Sequence, residues 1–266
     1  MTRRDFGAFV ISTPLMATGA LTAQTPKERG KQLRDKIIYA LGGDGFRYMR
    51  TRTEIGRAYS FYREELSGLS VARIYTKYLP ADSAGRIHML QRQVFGKKLE
   101  DAVLFTTDEA YEVTYRGAKP LGDERVKLFR EQTLHDVFYI LRERVEEPGV
   151  EFESLGADVI ENQPVETVDI YDAENRSVRV WVNSSTFLPV KQRSYRWDPT
   201  IKDRREEVTR YSKYREVGNG VMWPFAIERE RDTEKNFQLF SERVTVDDQL
   251  EPSMFELPNG IKILKK

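Results

Sequence analysis

The sequence predicts a mainly β protein of the α+β class. It forms one large, strongly curved antiparallel sheet of about ten strands, with an N-terminal helix and a second, inserted helix packed on its concave face. Three observations lead there. Beyond Phe46 most of the chain alternates apolar and polar residues with the period of two expected of a sheet wetted on one face. Two stretches interrupt that alternation with a helical period. No proline- or glycine-rich linker and no repeat of fixed period divides the chain, so residues 24–266 read as a single domain.

Residues 1–23 stand apart from that domain. "MTRRDFGAFVISTPLMATGALTAQ" joins two arginines, Arg3 and Arg4, to an uncharged apolar run from Ala8 to Leu21 and to small residues suited to a peptidase, with Ala20 or Ala23 as the last residue removed. The run is shorter than the ~20 apolar residues of a membrane span. "TRRDF" resembles a twin-arginine signal, with Gly7 and Ala8 where leucine and lysine often complete that motif. The expectation is a cleaved export signal and a product delivered to the periplasm.

"PKERGKQLRDKIIYALGG" places Leu33, Ile37, Ile38 and Leu41 on one side of a helix that Gly42 and Gly43 stop. Strands follow, as in "AYEVTYRG", where Tyr111, Val113 and Tyr115 share one face. In "DERVKLFREQTLHDVFYILRERVEEPG" the stripe of Val126, Phe129, Val137, Phe138, Leu141 and Val145 predicts one inserted helix from about Arg125 to Val145, with its apolar side against the sheet. Strands resume with Val178, Val180 and Val182 on one face. Asn219-Gly220 then marks a tight hairpin leading to Val221, Trp223, Phe225 and Ile227.

Composition removes several chemistries. There is no cysteine, hence no disulfide, thiolate metal site, cysteine nucleophile or lipid-modified cysteine, and only His88 and His135 offer imidazole. The leader's two arginines and one aspartate carry the whole formal charge of +1, so the remaining chain is neutral. It has no electrostatic preference for nucleic acid or an anionic membrane. The pairs Glu64/Glu65, Glu206/Glu207 and Glu228/Glu230 lie among arginines and lysines and read as solvated or cross-strand ion pairs. His135 and Asp136 are neighbours on a helix and do not face one another, and no serine occupies a G-x-S-x-G turn. "GGDGF" lacks the lysine of a phosphate loop and reads as a helix stop, and "RYSKYR" reads as an outer sheet face. The reading is therefore of a protein with no enzymatic activity, no cofactor and no metal.

"ESLGADVIENQPVETVDIYDAENRSVRVWVNSSTFLPVKQRSYRW" resembles the second half of the LolA-like proteins, periplasmic lipoprotein-sorting carriers whose half-barrel fold is shared with RseB-type envelope stress sensors. The closing "LEPSMFELPNGIKI" is similar to that family's end, and "YREELSGLSVARIYTKYLP" fits its first half more weakly. As an order of elements the resemblance spans most of residues 27 to 264. It implies a half-barrel that binds acyl chains of lipoproteins or other lipids, taken from an inner-membrane donor and passed to an outer-membrane acceptor. The alternative it implies is a sensor module without a transport role. No contact residue carries over from the family, because none aligns to a position here.

Hiding one acyl chain from water is worth on the order of 10 kcal/mol, at ~0.8 kcal/mol per methylene, and only a large apolar concavity can supply that. Candidate lining residues are Phe105, Tyr111, Val113, Val180, Val182, Trp223, Phe225, Ile227 and Leu239 on strands, with Phe129, Phe138 and Leu141 on the inserted helix. Taken singly, each fits a filled core better than a cavity wall, and a core packed to native density would leave no container.

Overall fold

The computed structural model describes residues 24–80, 87–96, 101–198 and 200–265. The expected export signal, 1–23, lies outside them. Helix α1 (Pro26–Leu41) begins with a capping box: the Glu28 N–H donates to Thr25 Oγ1 at 3.2 Å, and the Thr25 N–H donates to Glu28 Oε2 at 2.7 Å. Leu33, Ile37 and Leu41 are buried, and Gly42, at φ 121°, ends the helix. A short helix α2 (Asp44–Tyr48) leads into the strands.

Thirteen strands are found among the described residues, against the ten or so expected from the sequence, because short edge strands add to the count. The first group is β1 (Thr51–Tyr62), β2 (Glu65–Tyr78), β3 (Met89–Phe95), β4 (Ala102–Phe105), β5 (Ala110–Thr114) and β6 (Gly117–Pro120). The second is β7 (Glu151–Ile160), β8 (Gln163–Tyr171), β9 (Ser177–Asn183), β10 (Pro189–Asp198), β11 (Asp203–Glu216), β12 (Met222–Arg231) and β13 (Glu234–Val246). Every strand pairs antiparallel with its neighbours in the order β6-β5-β4-β3-β2-β1-β13-β12-β11-β10-β9-β8-β7. The first and last strands thus meet in the middle of one curved, open sheet. A bulge at Ile55/Gly56 bends that central pair, and a side chain at Gly56 would come 2.2 Å from the Phe240 carbonyl oxygen. The expected hairpin at Asn219-Gly220 forms, with both residues at positive φ. Neither edge is left bare: residue Ile263 bridges to Ala118 of β6, and α1 lies against β7.

Strands β6 and β7 lie at opposite edges, so the segment joining them must travel across the sheet. It is not the single helix that the apolar stripe predicts. Helix α3 (Asp123–Leu134) stops, and α4 (Val137–Tyr139) restarts and runs into a π-helical turn, Ile140–Arg144. Two groups make the break. Asp136 caps the restart, its Oδ1 accepting from the N–H groups of Phe138 at 2.9 Å and Tyr139 at 3.0 Å. Gln192, a buried side chain of β10, accepts from the Val137 N–H at 2.9 Å and donates to the His135 carbonyl at 3.2 Å. A strand side chain thereby supplies both partners that a continuous helix would have supplied. Gln192→Ala orphans a buried donor and acceptor and is expected to lower stability by about 2–3 kcal/mol, read by denaturant unfolding.

The main core forms where α1, α4 and the π-helical turn press on the sheet. Ile37, Leu41, Phe46, Val137 and Leu141 meet Val168, Val180, Val182 and Val221 there. Phe138 stands at its centre, 4.7 Å from the Trp223 ring, 5.0 Å from Tyr211 and 6.5 Å from Phe46.

Candidate functional site: a mixed cavity beneath the crossover

Beside that solid core the crossover stands off from the sheet and leaves a partly enclosed cavity of ≈ 220 Å³. Its strand wall follows from alternation. Arg52 and Glu54 on β1, Met89, Gln91, Gln93 and Phe95 on β3, Trp223, Ile227 and Arg229 on β12, and Phe237 and Leu239 on β13 are all spaced at even intervals along their strands. Ile74 and Tyr78 of β2 and Tyr211 of β11 complete the wall, and Phe129, Gln132, Thr133, Asp136, Phe138 and Tyr139 roof it. A second, more polar opening of ≈ 330 Å³ shares Gln132, Arg229 and Phe237 with the first and is bordered by Glu131, His135, Arg196, Glu207 and Arg231.

Of the twelve residues expected to line a hollow, Phe129, Phe138, Trp223, Ile227 and Leu239 do so. The other seven pack elsewhere. Leu141, Val180 and Val182 are fully buried in the main core, and Phe225 joins them, because α4 and the π-helical turn rest directly on that part of the sheet. Phe105 stacks on Phe129 at 3.8 Å beside Ala110 and Leu121. Val113 and Tyr111 pack with Leu104, Ala118 and the C-terminal Leu257 and Ile261. Nor is the hollow purely oily, since ionisable and amide side chains form much of its wall. Strand alternation carries the signal for these, because Arg229 continues the Trp223, Phe225, Ile227 series and Arg52 and Glu54 share a face. What alternation does not say is which of the two faces is covered.

The charged groups are arranged in a specific way. The Arg52 guanidinium lies 4.0 Å over the Trp223 ring and its Nη1 donates to Tyr78 Oη at 3.0 Å. Glu54 accepts from Ser241 Oγ at 2.5 Å and is almost wholly buried. Burial pushes the Asp136 carboxyl above the usual carboxylate range, opposed by the Tyr139 and Phe138 N–H groups and by the charges of Arg229 and Arg52. Burial, with the neighbouring Asp136 charge, pushes the Tyr211 phenol well above its ordinary value. At the far end Arg142 lies 3.9 Å from the Tyr78 ring centre and donates to the Met49 carbonyl, while the His88 N–H donates to Tyr139 Oη at 3.0 Å.

The groups that invite a catalytic reading are committed elsewhere. His135 Nδ1 is bonded to the Glu131 carbonyl at 2.7 Å. Glu207 meets Arg196 and Arg231, both at 3.3 Å, and Glu228 meets Gln238 at 2.7 Å and Lys235 at 3.4 Å. Glu64 sits in the β1–β2 hairpin turn at φ 62°. Among the described residues no cluster of three His, Asp or Glu side chains could hold a metal ion, and no helix is long and apolar enough to cross a membrane.

By sequence, no protein-family model and no curated protein matches the chain. By structure it is similar to a domain from Vibrio parahaemolyticus named for outer membrane lipoprotein sorting, at 12% identity and a TM-score of 0.57, over 86% of this chain and 97% of that one. It is similar to a DUF1329 family protein from Desulfovibrio piger at 11% identity and a TM-score of 0.59, over 88% and 98% of the two chains. A LolA superfamily protein from Nitrosomonas europaea aligns at 14% identity and a TM-score of 0.52, over 85% and 97%. Identities this low carry the fold and not the activity. With its open antiparallel sheet, its meeting of first and last strands and its helical crossover, the chain is built on the LolA-like half-barrel.

Proposed function

We propose that the protein binds the acyl chains of lipids or lipoproteins in the cavity beneath the crossover and carries them within the bacterial envelope, without catalysing a reaction. The observation that carries this reading is the cavity itself: a hollow between a curved sheet and a helical cover. It is supported by a fold also found in structures named for lipoprotein sorting and for LolA. The Arg3-Arg4 leader pattern supports export to the periplasm through the twin-arginine route; an inner-membrane donor and an outer-membrane acceptor as exchange partners are what the LolA-like resemblance implies.

At ≈ 220 Å³ the hollow is below the roughly 300–1,000 Å³ of sites that enclose a drug-sized ligand. A long chain therefore requires the crossover to lift. The break at His135–Asp136 gives it a place to bend, and the adjoining polar opening gives it a side from which to part.

The test is mass spectrometry of lipids that accompany the protein isolated from the periplasm, with titration of a long-chain fatty acid into delipidated protein. Binding is expected, and Ile227→Trp, which fills the cavity from a half-buried position, is expected to weaken it at least tenfold. A folded protein that carries no lipid and takes up none would defeat the carrier reading. Capture of a membrane-anchored partner by that lipid-free protein would replace it with the sensor reading.

A further inference from the structure

The two hollows beneath the crossover lie end to end along the strands, and the strand register fixes where one passes into the other. Ile227 of β12 pairs with Tyr211 of β11 on one side and Leu239 of β13 on the other, and this row borders only the first cavity. Two residues further along β12, a rise of roughly 7 Å, Arg229 pairs with Thr209 and Phe237, and Arg229 and Phe237 border both hollows. In the next row Arg231 pairs with Glu207, and both border only the polar opening. Because alternate residues of a strand share a face, the same inward surface changes from apolar to charged at one level across neighbouring strands.

The charges at that level are unevenly committed. Every carboxylate of the opening is held by an arginine: Glu207 by Arg196 and Arg231, Glu131 by Arg176 at 3.5 Å, and Glu230 by Arg210. Arg229 is exposed, and among the described residues it makes no ion pair; its guanidinium lies 5.6 Å from the Phe237 ring centre. The Asp136 carboxyl feels its charge, but Asp136 Oδ1 is taken by two backbone N–H groups and burial works against its ionisation. An amphiphile sorts itself along such a surface, since burying a charged head without a partner is costly and wetting its chain forfeits the hydrophobic gain. At the boundary an unpaired guanidinium suits an oxyanion, to which it can donate two parallel hydrogen bonds. An ammonium head finds no free carboxylate there.

We propose that the ligand is a lipid with an anionic head, its chain in the first cavity and its head at Arg229, where the cavity opens past Phe237 into the polar hollow. This rests on the acyl-binding reading of the same cavity. It narrows that reading to acidic lipids and gives the chain a direction, tail under the crossover and head towards the polar side. A phosphate and a carboxylate present the same anionic oxygens, and free phosphate presents them without a chain.

The experiment is calorimetric titration of the delipidated protein with decyl phosphate, 1-decanol, decylamine and inorganic phosphate, for the native protein and for Arg229→Gln and Arg229→Lys. Decyl phosphate is expected to bind the native protein at least tenfold more tightly than the alcohol, the amine or inorganic phosphate. The ratio of phosphate to alcohol affinity is expected to fall about tenfold in Arg229→Gln and to stay within about threefold of native in Arg229→Lys, which keeps the charge. The proposal is overturned if the alcohol or the amine binds the native protein as tightly as decyl phosphate, or if Arg229→Gln leaves the ratio unchanged. It is also overturned if inorganic phosphate binds as tightly as decyl phosphate, which would make the opening a site for free anions. The comparison of ligands on the native protein decides the matter even where a variant fails to fold. Equal binding of the three decyl ligands removes this proposal alone, whereas entry of none of them removes the carrier reading and this one with it.

Discussion

Asp172→Ala is expected to destabilise the protein by about 3–5 kcal/mol, the range for breaking a buried ion pair from one side. Asp172 follows β8, and its Oδ2 accepts from Arg144 Nη2 at 2.8 Å and Arg176 Nη1 at 2.9 Å, while its Oδ1 accepts from the N–H groups of Glu174 and Arg176. Arg144 is itself 6% exposed, donates to the Leu134 carbonyl at the end of α3 and is bonded twice to Glu147. The side-chain cluster therefore ties the crossover to the β8–β9 turn, and removing the carboxylate leaves a buried guanidinium short of a partner.

Burial alone would raise the Asp172 carboxyl, but the hydrogen bonds and charges of Arg144 and Arg176 outweigh it and hold the group at about 2. A carboxyl that titrates lower folded than unfolded adds stability that is complete above pH ~4 and lost as the pH falls towards 2. Asp172→Asn, which keeps the shape and removes the charge, is therefore expected to cost about 2 kcal/mol at neutral pH. That difference from the native protein should shrink to nothing across the same window. Urea unfolding of both proteins at a series of pH values reads it, and a penalty that stays constant down to pH 2 would show that the charge is not what Asp172 contributes.

Gly30→Ala is expected to lower the Tm by about 5–10 °C, the shift that goes with a net loss of about 2–3 kcal/mol in a chain of this size. Two effects oppose each other. Alanine favours a helix interior over glycine by about 1 kcal/mol. Against that, a Cβ here would stand 2.2 Å from the Phe152 carbonyl oxygen and 2.8 Å from the Glu153 nitrogen, backbone atoms of β7 that cannot rotate away. Overpacking of this kind costs about 1–3 kcal/mol and more where backbone must move, so the clash wins. Thermal unfolding followed by circular dichroism measures it. An unchanged Tm would mean that α1 is not seated on β7 as closely as this.

The gross architecture was legible in short-range patterns. Alternation in "AYEVT" and "SVRVWV", the stop at Gly42-Gly43 and the turn at Asn219-Gly220 each follow from local backbone chemistry, which needs no distant partner. That is why the sheet, the first helix and the hairpin stand where the sequence places them. The inserted helix was legible as apolar but not as broken. Asp136 is an ordinary helix residue until Gln192, over fifty positions away, arrives to hold the two backbone groups on either side of it.

The cavity shows the same limit more sharply. Val180, Val182, Ile227 and Leu239 carry the same kind of signal in the sequence, an apolar side chain at strand spacing. The first two are sealed beneath the π-helical turn and the last two face an open space, because the crossover touches the sheet over one part of its width and stands away from it over another. An amino-acid pattern records which side of a strand is turned inward, since that depends on neighbours two residues away. Whether the inward side meets other side chains or a void depends on where a helix thirty or more residues away comes to rest, and only the folded chain decides that.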